Sequence, residues 1–122
     1  KYFGLKDSKF IYRDEKGVDT ISLFASSCEN FSVSLIESMA NGYPTICVDQ
    51  QPMKSVLGSD AIFYKYDSIL SFHNKFSKVI FSKAIQNRLS KKIFLRSRKF
   101  SDHDMAKKTF KFLIDIAKKN EK

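Results

Sequence analysis

The chain has 122 residues, 43% of them hydrophobic and 29% charged, with a formal net charge of +9. That is enough apolar material for one folded domain, so wholesale disorder is excluded. No run approaches the ~18 apolar residues of a membrane-spanning helix, two cysteines make no disulfide framework, and no CxxC or His/Cys cluster offers a metal site.

The opening, Lys1-Tyr2-Phe3-Gly4-Leu5, is strand-like and unlike a signal peptide, and without an initial Met the chain reads as a piece of a longer protein. Residues 6–17 are polar, with a short helix expected before Gly17. Thr20-Ile21-Ser22-Leu23-Phe24-Ala25 is a brief apolar run without strong alternation, which suits a strand buried on both faces. A loop from Ser26 to Ser32 leads into a helix from about Val33 to Asn41. Ser34 and Glu37 fit a Ser-x-x-Glu capping box, Gly42 supplies a left-handed stop, and Pro44 prevents continuation.

Thr45-Ile46-Cys47-Val48 is a second buried strand and Ala61-Ile62-Phe63-Tyr64 a third. Strand, helix, strand with short joints is the βαβ pattern. It predicts an α/β fold of Rossmann-like, three-layer α/β/α type with a mostly parallel sheet. From Asp67 the pattern turns helical. Ile69, Leu70, Phe76, Val79 and Ile80 mark one apolar face, and Ile85, Leu89 and Ile93 an i, i+4 series in a second helix. Ser101-Asp102-His103-Asp104 caps a last helix, expected to bury Met105, Phe110, Leu113, Ile114 and Ala117 inside a sheath of lysines. Phe72, Phe76, Phe81, Phe94, Phe100, Phe110 and Phe112 read as core, because sheet-facing helices need apolar faces. His73 reads as a half-buried packing residue and His103 as a surface group. Cys28 and Cys47 read as small apolar residues in a reducing cytoplasm.

Charge is divided unevenly. Residues 1–64 carry six Lys/Arg and eight Asp/Glu, net −2, whereas residues 65–122 carry sixteen and five, net +11. A field of that sign and size selects anionic partners. No RNP-like aromatic motif, helix-turn-helix or zinc finger accompanies it, so nucleic acid is not an expected partner. The plain reading of the basic half is a solvated helix face; the functional reading set beside it is peripheral contact with an anionic membrane.

The most specific stretch runs from Cys28 to Ile46, C-E-N-F-S-V-S-L-I-E-S-M-A-N-G-Y-P-T-I. It puts one carboxylate, Glu29, in a loop after a buried strand and a second, Glu37, early in the following helix. In an open parallel sheet that loop lies beyond the carboxyl ends of the strands, where ligands bind. The N–H groups at the helix start, around Ser32 to Leu35, favour a phosphate, while the two carboxylates suit sugar or ribose hydroxyls.

This stretch resembles the Glu-x7-Glu signature of retaining glycosyltransferases of family four, roughly P-S-x-x-E-G-F-G-L-x-x-x-E-A-M-A-x-G-x-P-V-I. Both Glu residues, Met39-Ala40, Gly42 and Pro44 fall in register, and Pro52 to Ala61, Phe100-Ser101 and Ala106 extend the likeness over most of residues 20–115. The resemblance implies a GT-B architecture of two Rossmann-like domains, with residues 1–122 the distal part of the C-terminal, nucleotide-sugar-binding domain. It implies that Glu37 accepts hydrogen bonds from the ribose and that Glu29 faces the donor sugar as the catalytic position. Backbone amides of Asn30, Phe31, Ser32, Val33, Ser34 and Leu35 then approach the sugar and diphosphate. It further implies a nucleotide-sugar donor as substrate, transfer with retention to a glycan or lipid-type acceptor held by the absent N-terminal domain, and no metal or other cofactor. The chain departs from the pattern at Asn30 and Ser32, where the family has Gly, at Ser55, where it often has Glu, and at Asp102, where it has Trp. The family's diphosphate-clamping Arg and Lys lie in a βα unit outside this chain. The alternative expectation is therefore a catalytically incompetent fragment or pseudoenzyme that acts as a basic binding module.

Overall fold

The computed structural model describes residues 20–26 and 32–120, the Asn120 side chain excepted. The expectations for residues 1–19 and 27–31 lie outside the described residues. In chain order the elements are β1 (Ser22–Phe24), α1 (Val33–Ala40), β2 (Thr45–Val48), α2 (Met53–Leu57), β3 (Ile62–Tyr64), α3 (Ile69–Ile80), α4 (Lys83–Ser97) and α5 (Asp102–Asn120). The three strands form one parallel sheet in the order β1-β2-β3, with Leu23 opposite Ile46 and Ile46 opposite Ile62. The fold is thus α/β with a small parallel sheet, in line with the βαβ reading.

β2 is the centre of the packing, and all four of its residues are buried. Successive strand residues face opposite sides of a sheet, so Ile46 and Cys47 each anchor a different apolar cluster. Cys47 joins Leu35 and Met39 of α1, Met53, Val56 and Leu57 of α2, and Ile93 of α4. Ile46 joins Val79 of α3 and Leu89 of α4, with Phe76 and Ile85 partly buried beside them. Helix α4 therefore contributes to both clusters and packs on α1, α3 and β2.

Several local expectations are corrected. β1 is not buried on both faces: it pairs only with β2 among the described strands, and Leu23 is 47% exposed. The N-cap of α1 is Ser32, not Ser34. The Ser32 hydroxyl accepts the Leu35 N–H at 3.3 Å, which leaves Glu37 two residues too far along for a capping box. The C-terminal stop is as read. Gly42 sits at φ +70°, its N–H reaches the Met39 carbonyl at 2.9 Å, and the Tyr43 N–H reaches Ser38 at 3.2 Å, the paired bonds of a Schellman ending. The five-residue α2 has no counterpart in the sequence reading.

The helices after Asp67 lie where expected, but less of their apolar surface is covered. Ile69 and Leu70 stand exposed at the start of α3, and Phe81 and Phe94 are exposed rather than core. His73 is exposed as well. Phe72, Phe76 and Phe100 are partly buried. The largest departure is α5, in which every described side chain from Asp102 to Lys119 is exposed, including Met105, Phe110, Phe112, Leu113, Ile114 and Ala117. Amphipathic spacing predicts that a face is apolar; it does not supply the surface that covers it.

Candidate functional site

Parallel strands bring their carboxyl ends to one edge of the sheet, and α/β folds place ligands beyond that edge. Ala25 follows β1 there, Asp49 follows β2, and Tyr66 and Asp67 follow β3. A cavity of about 410 Å³ opens at this edge. Its walls are Ala25, Tyr64, Tyr66, Ile69 and Phe72, with Asp67 and Ser68 at the rim. Tyr64 meets Phe72 edge-on with ring centres 5.2 Å apart, and Phe72 stacks on Phe76 at 5.4 Å. These contacts hold the aromatic wall in place and account for the partial burial of Phe72.

The rim is braced by local hydrogen bonds. The Ser68 hydroxyl caps α3 by accepting the Ser71 N–H at 3.2 Å, and the Ser71 hydroxyl accepts the Lys65 N–H at 2.9 Å. Between them Asp67 adopts φ +54°, a left-handed conformation that Asp tolerates better than most residues. Burial raises the Tyr64 hydroxyl above the ordinary tyrosine value, with neighbouring Cys47 adding to the effect. At neutral pH it is a protonated hydrogen-bond donor. Burial also pushes the Cys47 thiol up to about 11, against a smaller opposing effect from its bond with the Val48 backbone. Cys47 is accordingly a packing group and no nucleophile at neutral pH.

Glu29, Asn30 and Phe31 lie outside the described residues. Ser32 is buried at the head of α1, and its hydroxyl lies 3.0 Å from that of Ser34. Val33 opens the helix with its side chain 63% exposed, whereas the Leu35 side chain is fully buried in the core. Leu35 can therefore meet a ligand only through its backbone, and its N–H is already held by Ser32. This narrows the expected row of available amides at the helix start. Glu37 is half-buried in the second turn of α1. On the inner side of the same helix, the buried Ser38 hydroxyl is hydrogen-bonded to that of Ser22, which ties α1 to β1.

Among the described residues no group of three or more His, Cys, Asp or Glu is placed to hold a metal ion, and no helix is long and apolar enough to cross a membrane. A second hollow, of about 230 Å³, lies at the opposite edge of the sheet between the Gly42–Pro44 turn and the first turns of α4. Among the described residues its one buried polar side chain, Gln86, is occupied in bonding the Val79 and Ile80 carbonyls at 3.0 and 3.3 Å. That contact closes the end of α3.

Among the described residues the first cavity has aromatic faces, a carboxylate and a hydroxyl at its rim, and no Lys or Arg in its lining. Such a lining suits a flat or sugar ring, stacked on Tyr or Phe and held by polar groups at one side. The sequence reading missed this wall, because Phe72 passed for core and Tyr66 went unremarked. The available signal was Tyr64-x-Tyr66 at the carboxyl end of a strand in a parallel sheet. No family model matches the chain, and no curated protein matches it.

Proposed function

We propose that the chain is the distal part of the nucleotide-sugar-binding domain of a retaining, GT-B-type glycosyltransferase. The observation that carries this reading is the Glu-x7-Glu run, joined to a helix that follows the first strand of a parallel sheet, with Glu37 in its second turn. In this reading Glu37 accepts hydrogen bonds from the donor ribose and Glu29 faces the donor sugar. The first amides of α1 face the diphosphate, and the positive end of the helix favours the leaving group. Stabilising that departing charge lowers the barrier of an oxocarbenium-like transfer. The aromatic cavity beside Ala25 offers a stacking surface for a ring of the donor. Acceptor binding belongs to a domain outside this chain.

One observation favours the alternative of a binding-incompetent relative. Ser32 stands where the family has Gly, and its hydroxyl occupies the Leu35 N–H that the family pattern would turn toward the ligand.

Amide-shift titration with UDP-, GDP- and ADP-sugars separates the two. Shifts centred on residues 32–37 with one preferred nucleotide are expected. Shifts confined to the lysine-rich α4 and α5 and erased by salt would overturn the donor reading. In the complete enzyme Glu37→Ala should weaken nucleotide binding by about tenfold, the worth of one or two hydrogen bonds. Glu29→Ala should lower turnover with little change in donor affinity. Wild-type kinetics in both variants would remove the residue assignment.

A further inference from the structure

Helix α5 is a 19-residue element whose apolar side chains stand in solvent, from 38% exposed at Ile114 to 67% at Phe110. Projected at ~100° per residue, its residues sort into two sectors. Met105, Phe110, Phe112, Leu113, Ile114 and Ile116 fall in one arc about 200° wide, with the small Ala106, Thr109 and Ala117 among them and His103 near one edge. The rest of the circumference holds Lys107, Lys108, Lys111, Lys118 and Lys119 together with Asp104 and Asp115.

The charges are sorted again within the polar sector. Lys107 and Lys118 flank one edge of the apolar arc and Lys108 and Lys119 the other, while Asp104, Asp115 and Lys111 lie around the pole opposite the apolar centre. Asp102 is the one acid on the apolar side, and it occupies the first position of the helix, where the dipole favours an anion.

We infer that α5 is an interfacial helix that lies on an anionic lipid surface, apolar arc down. Three observations choose this occupant. An arc this broad exceeds the narrow seam that a single partner helix covers, and it matches a helix sunk sideways into a headgroup layer. Lysines at both edges can lay their aliphatic stems along the apolar arc and raise their ammonium groups to lipid phosphates. Asp104 and Asp115, with Lys111 beside them, are held on the side farthest from that surface. A second copy of the chain fits poorly, because it brings the same +9 charge and the same lysine borders. The inference is independent of the donor-binding reading.

The chain contains no Trp, so Phe112→Trp gives a single emission probe. The full chain carrying it is mixed with phosphatidylcholine vesicles and with vesicles that also contain phosphatidylglycerol. Co-sedimentation and a blue shift are expected with the second set alone. Phe110→Glu with Leu113→Glu, two exposed positions, should leave the circular dichroism unchanged and reduce vesicle binding at least about tenfold, since each removes a large buried apolar group from the bound state. No binding to anionic vesicles overturns the inference. So does equal binding by the double-Glu variant, which would reduce the effect to lysine attraction alone. A concentration-dependent dimer that the double-Glu change abolishes, without vesicle binding, would assign the face to a second copy.

Discussion

Helices α4 and α5 each carry five Lys or Arg residues, yet they behave oppositely. In α4 the buried residues are Gln86, Leu89, Ile93 and Ser97, a single stripe at spacings of three and four. Two of those four are polar. In α5 the apolar residues are larger and more numerous, and none of them is buried. Hydrophobic content therefore does not determine which helix joins the core. A narrow stripe that meets a complementary surface does: α4 has α1 and β2 to pack on, and Gln86 can enter because the Val79 and Ile80 carbonyls receive its amide.

The contrast is sharpest in truncations. Ile93→Ala removes a fully buried side chain and should cost about 2–5 kcal/mol. Leu113→Ala in α5, 57% exposed, should stay within ~0.5 kcal/mol. Denaturant midpoints measure both, and similar losses would mean that α5 packs within this chain after all.

A smaller effect is expected where α4 meets α2. The Arg96 guanidinium donates to the Val56 carbonyl and, at 3.0 Å, to the Ser55 carbonyl, and lies 3.7 Å from the Asp60 carboxylate. Arg96→Met should therefore cost about 1–3 kcal/mol, because it leaves the last carbonyls of α2 without their donor. Gly58 lies against the same group at φ +57°, and a Cβ there would come within 2.6 Å of the guanidinium carbon. Gly58→Ala should cost a similar amount; a neutral result for both changes would show that the contact contributes little.

A further effect, confined to high pH, is a pH dependence in the core. The folded chain keeps the Cys47 proton up to about pH 11, whereas an unperturbed thiol releases it near 9.0. The unfolded state then binds fewer protons between those values, so this contribution to stability is complete below about pH 9 and fades as the pH rises toward 11. Unfolding curves for the wild type and Cys47→Val on either side of that window should diverge, with the wild type losing more. Parallel behaviour would mean that the thiol is no more buried when folded than when unfolded.

Much of the central fold was legible. β2 reads as a buried strand because four apolar or β-branched residues stand between Pro44 and Asp49, and Gly42 marks the end of α1 because only a left-handed residue closes it. The α1 cap was misplaced by two positions, since Ser32 and Ser34 offer the same side chain and only backbone geometry distinguishes them. The aromatic wall escaped notice because partial burial of Phe72 depends on Tyr64, eight residues earlier on another element. The exposure of α5 was illegible for a more general reason: periodicity specifies a face, and coverage depends on what else is near. Of the two carboxylates in the Glu-x7-Glu run, Glu37 lies in the second turn of α1 and Glu29 lies outside the described residues.

The Arg96 contact also bears on the order of assembly. A five-residue helix has no independent stability in water, and two carbonyls of α2 find their donor on a side chain forty positions later in the chain. The connection between β2 and β3 therefore has to wait for α4 to arrive before its final turn is secured. Synthesis from the N-terminus would leave that connection unsettled until Arg96 has been added. In refolding, Arg96→Met should then mainly hasten unfolding and leave the folding rate nearly unchanged, the mark of a clasp fastened last.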